Sequence, residues 1–325
     1  MKIVTVGTGM IVEEFIKAAK QVNTVEIIGS YSRSLDRAKE FSAKMGIVKS
    51  YDSLSTLVDD EDVDAIYIAS PNSLHFMQAK YFLENHKHVI LEKPIMSKVE
   101  NAKVLLDLAK KNNLFIFEAI SNIHTPNFEV IKENISKLGN IKMVQANYSQ
   151  YSSRFDLFKA GEVPNVFNPA FSGGSLLDLN IYNIQLIYHL FGLPKDSTYF
   201  PNIMKGIDTS GILVMDYGEF KAFAVGAKDS ASPSYFTVQG DEGFITATGP
   251  TNELPNLHLK TKDEEFKVDH NTKHRLYWEI EVFGDIFARK DYDLAYKKFE
   301  ESIEVLGILE KSWKQNNLGF EDRTE

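Results

Sequence analysis

The chain predicts two domains: an α/β domain on a parallel sheet over residues 1–120, and an α+β domain over residues 121–325. Three observations carry this reading. Apolar strands and amphipathic helices alternate through the first 120 residues, the rhythm of a parallel sheet with right-handed crossovers. A glycine turn, Gly7-Thr8-Gly9-Met10-Ile11-Val12, stands between the first strand and the first helix. In the second half, short strands are divided by turn residues, which implies antiparallel pairing. A length of 325 residues also favours two domains.

Lys2–Val6 reads as the first strand, and Val12, Phe15, Ile16 and Ala19 then repeat at i, i+3, i+4 and i+7, one face of a helix. Residues 25–31 form the second strand. Leu35–Met45 is helical, with Gly46 as its stop. Residues 64–69 make a short apolar strand that ends in Ser70-Pro71-Asn72, and 73–85 a helix. The run His88-Val89-Ile90-Leu91 leads straight into Glu92-Lys93-Pro94. Ala102, Leu105, Leu106 and Ala109 then give another helical stripe, and 114–117 a strand. Further on, one long helix is expected over 174–189 and strands over 211–217, 220–225, 236–240 and 244–248. Helices follow over Arg275–Arg289 and 294–315, and the last could pack back on the first domain.

Composition narrows the function classes. Hydrophobic residues make up 43% and charged residues 25%, enough for a sizeable core. A net charge of −9 argues against a nucleic-acid surface. No cysteine is present, so disulfides, thiolate metal sites and a cysteine nucleophile are excluded. No His/Asp/Glu group has metal spacing, and Asp59-Asp60-Glu61-Asp62 reads as a solvated loop. No apolar run is long enough to span a bilayer, and the first strand begins at Lys2, so a soluble cytoplasmic protein is expected.

The glycine turn is the first chemical signal. Gly7 allows a tight turn, and Gly9 lets the backbone approach a pyrophosphate at a helix N-terminus. Thr8, Met10 and Ile11 complete the segment expected to face the phosphates. Val12 occupies the third glycine position, which would part helix and strand slightly. The end of the second strand lacks the acid that binds a ribose 2′-hydroxyl. It reads Ser32-Arg33, with Arg37 beyond, and guanidinium forks match a 2′-phosphate, so NADP is preferred and NAD possible. Otherwise Arg33 and Arg37 are solvated residues at a helix start.

Ser70, Pro71 and Asn72 close the strand ending at 69, where open α/β sheets bind ligands. Asn72 or Ser73 can also simply cap the next helix. His75 is placed either at the cofactor ribose or in the fold. Lys93 stands at the carboxyl end of its strand, ahead of a proline that stiffens the turn. Glu92 beside it, and Glu118 after the following strand, are expected on the cofactor side. Asp178 and Tyr182 are four apart and share a helix face behind Gly173-Gly174. A nearby ammonium such as Lys93 could lower the tyrosine pKa and make it a proton acceptor. The alternative keeps Asp178 as a first-turn acid and Tyr182 in the core.

In order along the chain, Ala69-Ser70-Pro71-Asn72-Ser73-Leu74-His75, Glu92-Lys93-Pro94, Glu118-Ala119-Ile120, Gly173–Tyr182 and Gly240-Asp241-Glu242-Gly243 resemble the Gfo/Idh/MocA family over nearly the whole length. The resemblance implies a Rossmann domain, then an α+β domain with a large, open, mostly antiparallel sheet that often forms the dimer face. It implies a catalytic lysine at Lys93 and a tyrosine general acid/base at Tyr182. It points to the branch of dimeric dihydrodiol dehydrogenase, glucose–fructose oxidoreductase and NADP-dependent xylose dehydrogenase. The expected activity is NADP-dependent hydride transfer at a hydroxyl or carbonyl of a sugar, sugar derivative or small polyol, by a homodimer or homotetramer. Asp178 would orient substrate or lysine.

Two departures stand out. Asn180 replaces the usual glycine before the tyrosine, and after Glu118-Ala119, where an aromatic and an arginine are expected, the chain reads Ile120-Ser121-Asn122-Ile123-His124. The second keeps a rival reading alive: a non-catalytic NADP(H)-binding regulator or sensor. A sugar-binding module without cofactor would leave the glycine turn unexplained.

Overall fold

The computed structural model describes residues 1–324. The first six strands are β1 (Lys2–Val6), β2 (Glu26–Tyr31), β3 (Lys49–Tyr51), β4 (Ala65–Ile68), β5 (His88–Glu92) and β6 (Ile116–Ala119). They form one parallel sheet in the order β3-β2-β1-β4-β5-β6. The helices between them are α1 (Met10–Ala19), α2 (Leu35–Met45), α3 (Leu54–Val58), α4 (His75–Glu84) and α5 (Val99–Asn112). The order reverses at β1, where β2 and β4 flank it, and the loops at the carboxyl ends of these strands are the ligand positions of such sheets. Gly46 ends α2 in the left-handed conformation at φ 66°, the stop its sequence position predicts.

This unit comprises Met1–Ala119, Leu276–Leu306 and the chain from Asp322. Its central strands are buried on both faces, so they read as near-continuous apolar runs. Tyr67 of β4 stacks on Phe15 of α1 with ring centroids 3.7 Å apart. Phe117 of β6 stacks at 4.6 Å on Phe283, which belongs to the helix α9 described below.

The second unit, Ile120–Arg275 and Gly307–Glu321, is built on eight strands. These are β7 (Ile141–Ser149), β8 (Asp196–Met204), β9 (Ile207–Asp216), β10 (Lys221–Ala227), β11 (Tyr235–Gly240), β12 (Gly243–Thr248), β13 (Leu257–Thr261) and β14 (Glu265–Val268). Their order is β14-β13-β12-β11-β7-β10-β9-β8. β7 and β10 pair parallel and every other neighbouring pair is antiparallel. Strand ends fall within a few residues of the sequence expectation for β9 to β12.

β7, β8, β13 and β14 carry weaker signals. β8 holds Pro201, which an edge strand tolerates because its N–H side needs no partner, and β8 is an edge. β14 is the opposite edge, four residues long and charged at alternate positions.

The helices are α6 (Pro126–Asn134), α7 (Phe155–Ala160), α8 (Ile181–Phe191), α9 (Arg275–Arg289) and α10 (Tyr292–Gln315). The single long helix expected over 174–189 is instead a π-helical turn, Leu176–Asn180, running into α8. Such turns widen a helix locally and recur at functional sites.

Candidate functional site

Gly7 adopts φ +123°, and a Cβ there would lie 2.9 Å from the Ala69 carbonyl oxygen, so only glycine fits between β1 and β4. Gly9 differs. A Cβ on it would meet nothing within 4 Å, and no side chain caps α1, whose N-terminus therefore faces open space. A pyrophosphate fits that space, received by the backbone N–H groups and the positive end of the helix. Val12, in place of a third glycine, is fully buried, with a methyl carbon 3.4 Å from where a Gly7 Cβ would stand.

The Gly7 N–H donates to the Tyr31 carbonyl at 3.3 Å, which ties the glycine turn to the end of β2. Ser32 and Arg33 follow Tyr31 directly, and Arg33 and Arg37 are exposed. Ser34 caps α2, accepting from the Arg37 N–H at 3.5 Å. Arg33 and Arg37 therefore follow the strand whose end is tied to the glycine turn, and both side chains are open to solvent.

His75 departs from the ribose role. Its ring is fully buried, with Nδ1 3.1 Å from both the Pro94 and Ile95 carbonyls and Nε2 3.0 Å from the Ser70 carbonyl. Main-chain carbonyls face both ring nitrogens, and the single N–H of the neutral ring donates to one side, so His75 is held within the fold between the loop after β4 and the turn after β5 instead of meeting a ribose. Burial, the dominant cause, lowers its pKa. α4 begins after Leu74 with no side-chain cap, so neither Asn72 nor Ser73 occupies its cap position.

Lys93 lies half-buried just beyond β5, and its peptide bond to Pro94 is cis. The turn that follows is held from afar. The Asp322 carboxylate accepts from the Ser97 N–H at 2.7 Å, the Lys98 N–H at 3.0 Å and Asn101 Nδ2 at 2.9 Å. Glu92 and Glu118 are both buried, and Glu92 accepts a hydrogen bond from the Tyr67 hydroxyl.

In the second unit, the segment around Tyr182 is fastened by side chains. Gly173-Gly174 does allow a close approach, but what approaches is the chain itself. A Cβ on Gly173 would lie 2.7 Å from the Val166 carbonyl, and one on Gly174, at φ +103°, would overlap the Asp208 carboxylate. Asp208 is wholly buried and accepts from the Leu176 N–H at 2.7 Å and the Tyr199 hydroxyl at 2.8 Å, so it caps the π-turn. Burial pushes its pKa up to about 7, against those two bonds and the charge of Lys228.

Asp178 sits on the π-turn with its side chain 35% exposed, ion-paired with Lys228. The sequence offers no local sign of this partner, which lies 50 residues away. Tyr182, in the first turn of α8, is 5% exposed, with its ring 6.0 Å from that of Tyr148. Asn180 donates from Nδ2 to the Ala224 carbonyl at 3.0 Å and accepts from Asn183 at 2.9 Å. Space for it comes from Gly226, whose Cβ would lie 2.8 Å from that of Asn180.

The divergent segment Ser121-Asn122 is buried too. Asn122 donates to the Tyr182 carbonyl at 2.8 Å and the Thr251 carbonyl at 3.1 Å, and Ser121 donates to the Asn252 carbonyl at 3.1 Å. It anchors the tyrosine helix where an arginine is expected. Among the described residues, no group of three or more His, Asp or Glu is arranged to hold a metal ion, and no helix is long and apolar enough to cross a membrane.

Residues 1–119 match the family model described as "Oxidoreductase family, NAD-binding Rossmann fold". The chain is 31% identical over 318 residues to scyllo-inositol 2-dehydrogenase (NADP(+)) IolU of Bacillus subtilis, covering 97% of both chains. It is 25% identical over 359 residues to D-xylose 1-dehydrogenase (NADP(+)) of Hypocrea jecorina, covering 97% of this chain and 91% of that one. The crystal structure of KijD10, a 3-ketoreductase from Actinomadura kijaniata in complex with NADP and TDP-benzene, has the same fold. It superposes with a TM-score of 0.84 at 18% identity over 99% of this chain and 98% of that one. A Rossmann unit with an open glycine turn, a mostly antiparallel second sheet and identity above 30% across the whole length converge: the chain belongs to the Gfo/Idh/MocA family of oxidoreductases.

Proposed function

We propose that the protein is an NADP-dependent oxidoreductase acting on a hydroxyl or carbonyl of a sugar, sugar derivative or small polyol. One observation carries this most: Asp178 and Tyr182 occupy a π-turn and the helix turn after it, fixed by Asp208, Lys228 and Asn122, in a chain 31% identical to an inositol dehydrogenase over 97% of its length. The bound nicotinamide supplies the hydride acceptor or donor. Tyr182 takes the proton from the reacting hydroxyl, and returns it in the reducing direction. Lys93 holds the reacting oxygen with its ammonium, and Asp178 orients the substrate through a neighbouring hydroxyl. Arg33 and Arg37 favour NADP through the 2′-phosphate.

A fluorescence titration with NADPH and NADH, followed by a screen of inositols and aldoses by NADPH absorbance, tests the proposal. NADPH binding with turnover of a polyol or aldose supports it. Preference for NADH overturns the role of Arg33, and binding without turnover of any of them favours the regulator reading.

We also propose a homodimer formed through the open face of the second sheet, and a cytoplasmic location, where a pool of free NADP(H) is at hand. Phe200, Ile212 and Val225 are cross-strand neighbours on one row of that face, and Val214 and Phe223 on the next. Phe200 is 60% and Ile212 45% exposed. Contiguous apolar surface of this kind marks an interface. Light scattering should give a dimer for the wild type and a monomer for Ile212→Glu.

A further inference from the structure

We infer that Lys228 is a positioning residue for the reaction, acting through the carboxylate of Asp178. The inference rests on the proposed role of Asp178 toward the substrate.

Strand β10 sets the geometry of the pair. Side chains two apart share a face, so Ala222, Ala224, Gly226 and Lys228 point the same way along β10 and just beyond it. Ala222 and Ala224 are fully buried, and Gly226 has no room for a Cβ because Asn180 and the Ser175 hydroxyl lie where it would stand. Three small residues thus let the π-turn settle against the strand. The fourth position of the stripe is a lysine, and it meets that turn at Asp178.

The backbone at Lys228 is fixed on both sides. Its N–H donates to the Thr209 carbonyl at 2.8 Å, and its carbonyl accepts from the Ser152 N–H at 2.9 Å. Its ammonium lies 5.4 Å from the centre of the buried Phe167 ring, a favourable place for a cation.

Exposure decides which partner serves which. The Lys228 side chain is 4% exposed, and that of Asp178 is 35% exposed. The lysine comes from inside and cannot reach a substrate; the carboxylate stands at the border and can. An ammonium buried this far is costly unless paired, so the pair fixes one carboxylate oxygen of Asp178 and with it the orientation of the group. An aspartate on an exposed rotamer would need to lose that freedom at each turnover, and a displacement of roughly 1 Å at such a group lowers turnover by about 100-fold.

The test is a double-mutant cycle in the full-length protein, with a polyol or aldose substrate and NADP. Lys228→Met should lower kcat by about 100-fold and leave NADPH affinity unchanged. In an Asp178→Asn background the same substitution should change kcat by no more than about twofold, because the residue it acts through is already altered. Equal losses in both backgrounds, or an unchanged kcat in Lys228→Met, would overturn the inference. If Lys228→Met fails to fold, Lys228→Gln carries the same cycle.

A crystal structure of the soluble variant reads the pair without activity. A carboxylate of Asp178 turned from its wild-type position supports the inference, and one that stays in place overturns it. Should the wild type turn over no polyol or aldose, the proposed function fails, and this structural comparison alone decides the role of Lys228.

Discussion

Two glycine pairs precede helices in this chain, one in each unit, and they serve opposite ends. Gly7 and Gly9 lead into α1. Gly7 is required by the chain itself, but at Gly9 the space above the helix is open. Gly173 and Gly174 lead into the π-turn, and both spaces are filled from within, by the Val166 carbonyl and by Asp208. In the first pair, Gly9 leaves room at the start of the helix. The second draws the π-turn onto its own scaffold. A glycine motif alone does not say which of these it does; the atom found where the Cβ would be does.

The two catalytic candidates sharpen this contrast most. Tyr182→Phe and Lys93→Ala should each lower kcat by about 10³-fold in steady-state assays while NADPH still binds by fluorescence. Normal turnover in both would remove the proposed mechanism from both units.

The glycines come next. Gly174→Ala must place a Cβ at positive φ against Asp208, a loss on the order of 3 kcal/mol in urea denaturation. Gly9→Ala, at φ −84° with nothing within 4 Å, should leave the denaturation midpoint unchanged and weaken NADPH binding. If Gly9→Ala is the less stable of the two, the glycine pairs do not differ in this way.

Arg33→Ala should weaken NADPH binding about tenfold and leave NADH binding unchanged, as loss of a charge-assisted bond predicts. A parallel loss for both nucleotides would place Arg33 away from the 2′-phosphate.

The smallest effect concerns pH. Asp208 holds its proton in the folded protein up to about pH 7, and the unfolded chain releases it near 3.8. Between those values the folded state binds more protons, so this group's contribution to stability is lost as pH rises through that window and is level above it. Asp208→Asn keeps an acceptor for Leu176 and Tyr199 without the ionisation. Its melting temperature should vary less across the window than that of the wild type.

Much of the nucleotide half was legible because its signals are local. A strand, a turn and a helix start are contiguous in Lys2–Ala19, and the end of β2 lies next in sequence. His75 was not. Its two outcomes depend on whether the Pro94 and Ile95 carbonyls reach its ring, a contact across 19 and 20 residues. In the second unit, Asp178 and Tyr182 stand out as candidates through their spacing and the family resemblance. Their supports do not, because Asp208, Lys228 and Asn122 come from separate segments and none carries a motif. The alternation of small residues before Lys228 was the one available signal. β3 and β7 escaped for a simpler reason: three residues are too few for a period, and Lys142, Gln145 and Asn147 interrupt the apolar pattern of β7.

Asn180 and Gly226 carry a consequence for recombination. Asn180 on the π-turn and Gly226 on β10 share a space with room for one side chain. A chimera with a breakpoint between 180 and 226 would inherit one side from each parent. With a parent that has glycine at the position of Asn180 and a larger residue at that of Gly226, one hybrid would bring two side chains into a space for one, and the reciprocal hybrid would leave a hole and strand the Ala224 carbonyl. With such a parent, crossovers outside this interval should yield folded hybrids, because both positions then travel together, and those within it should not.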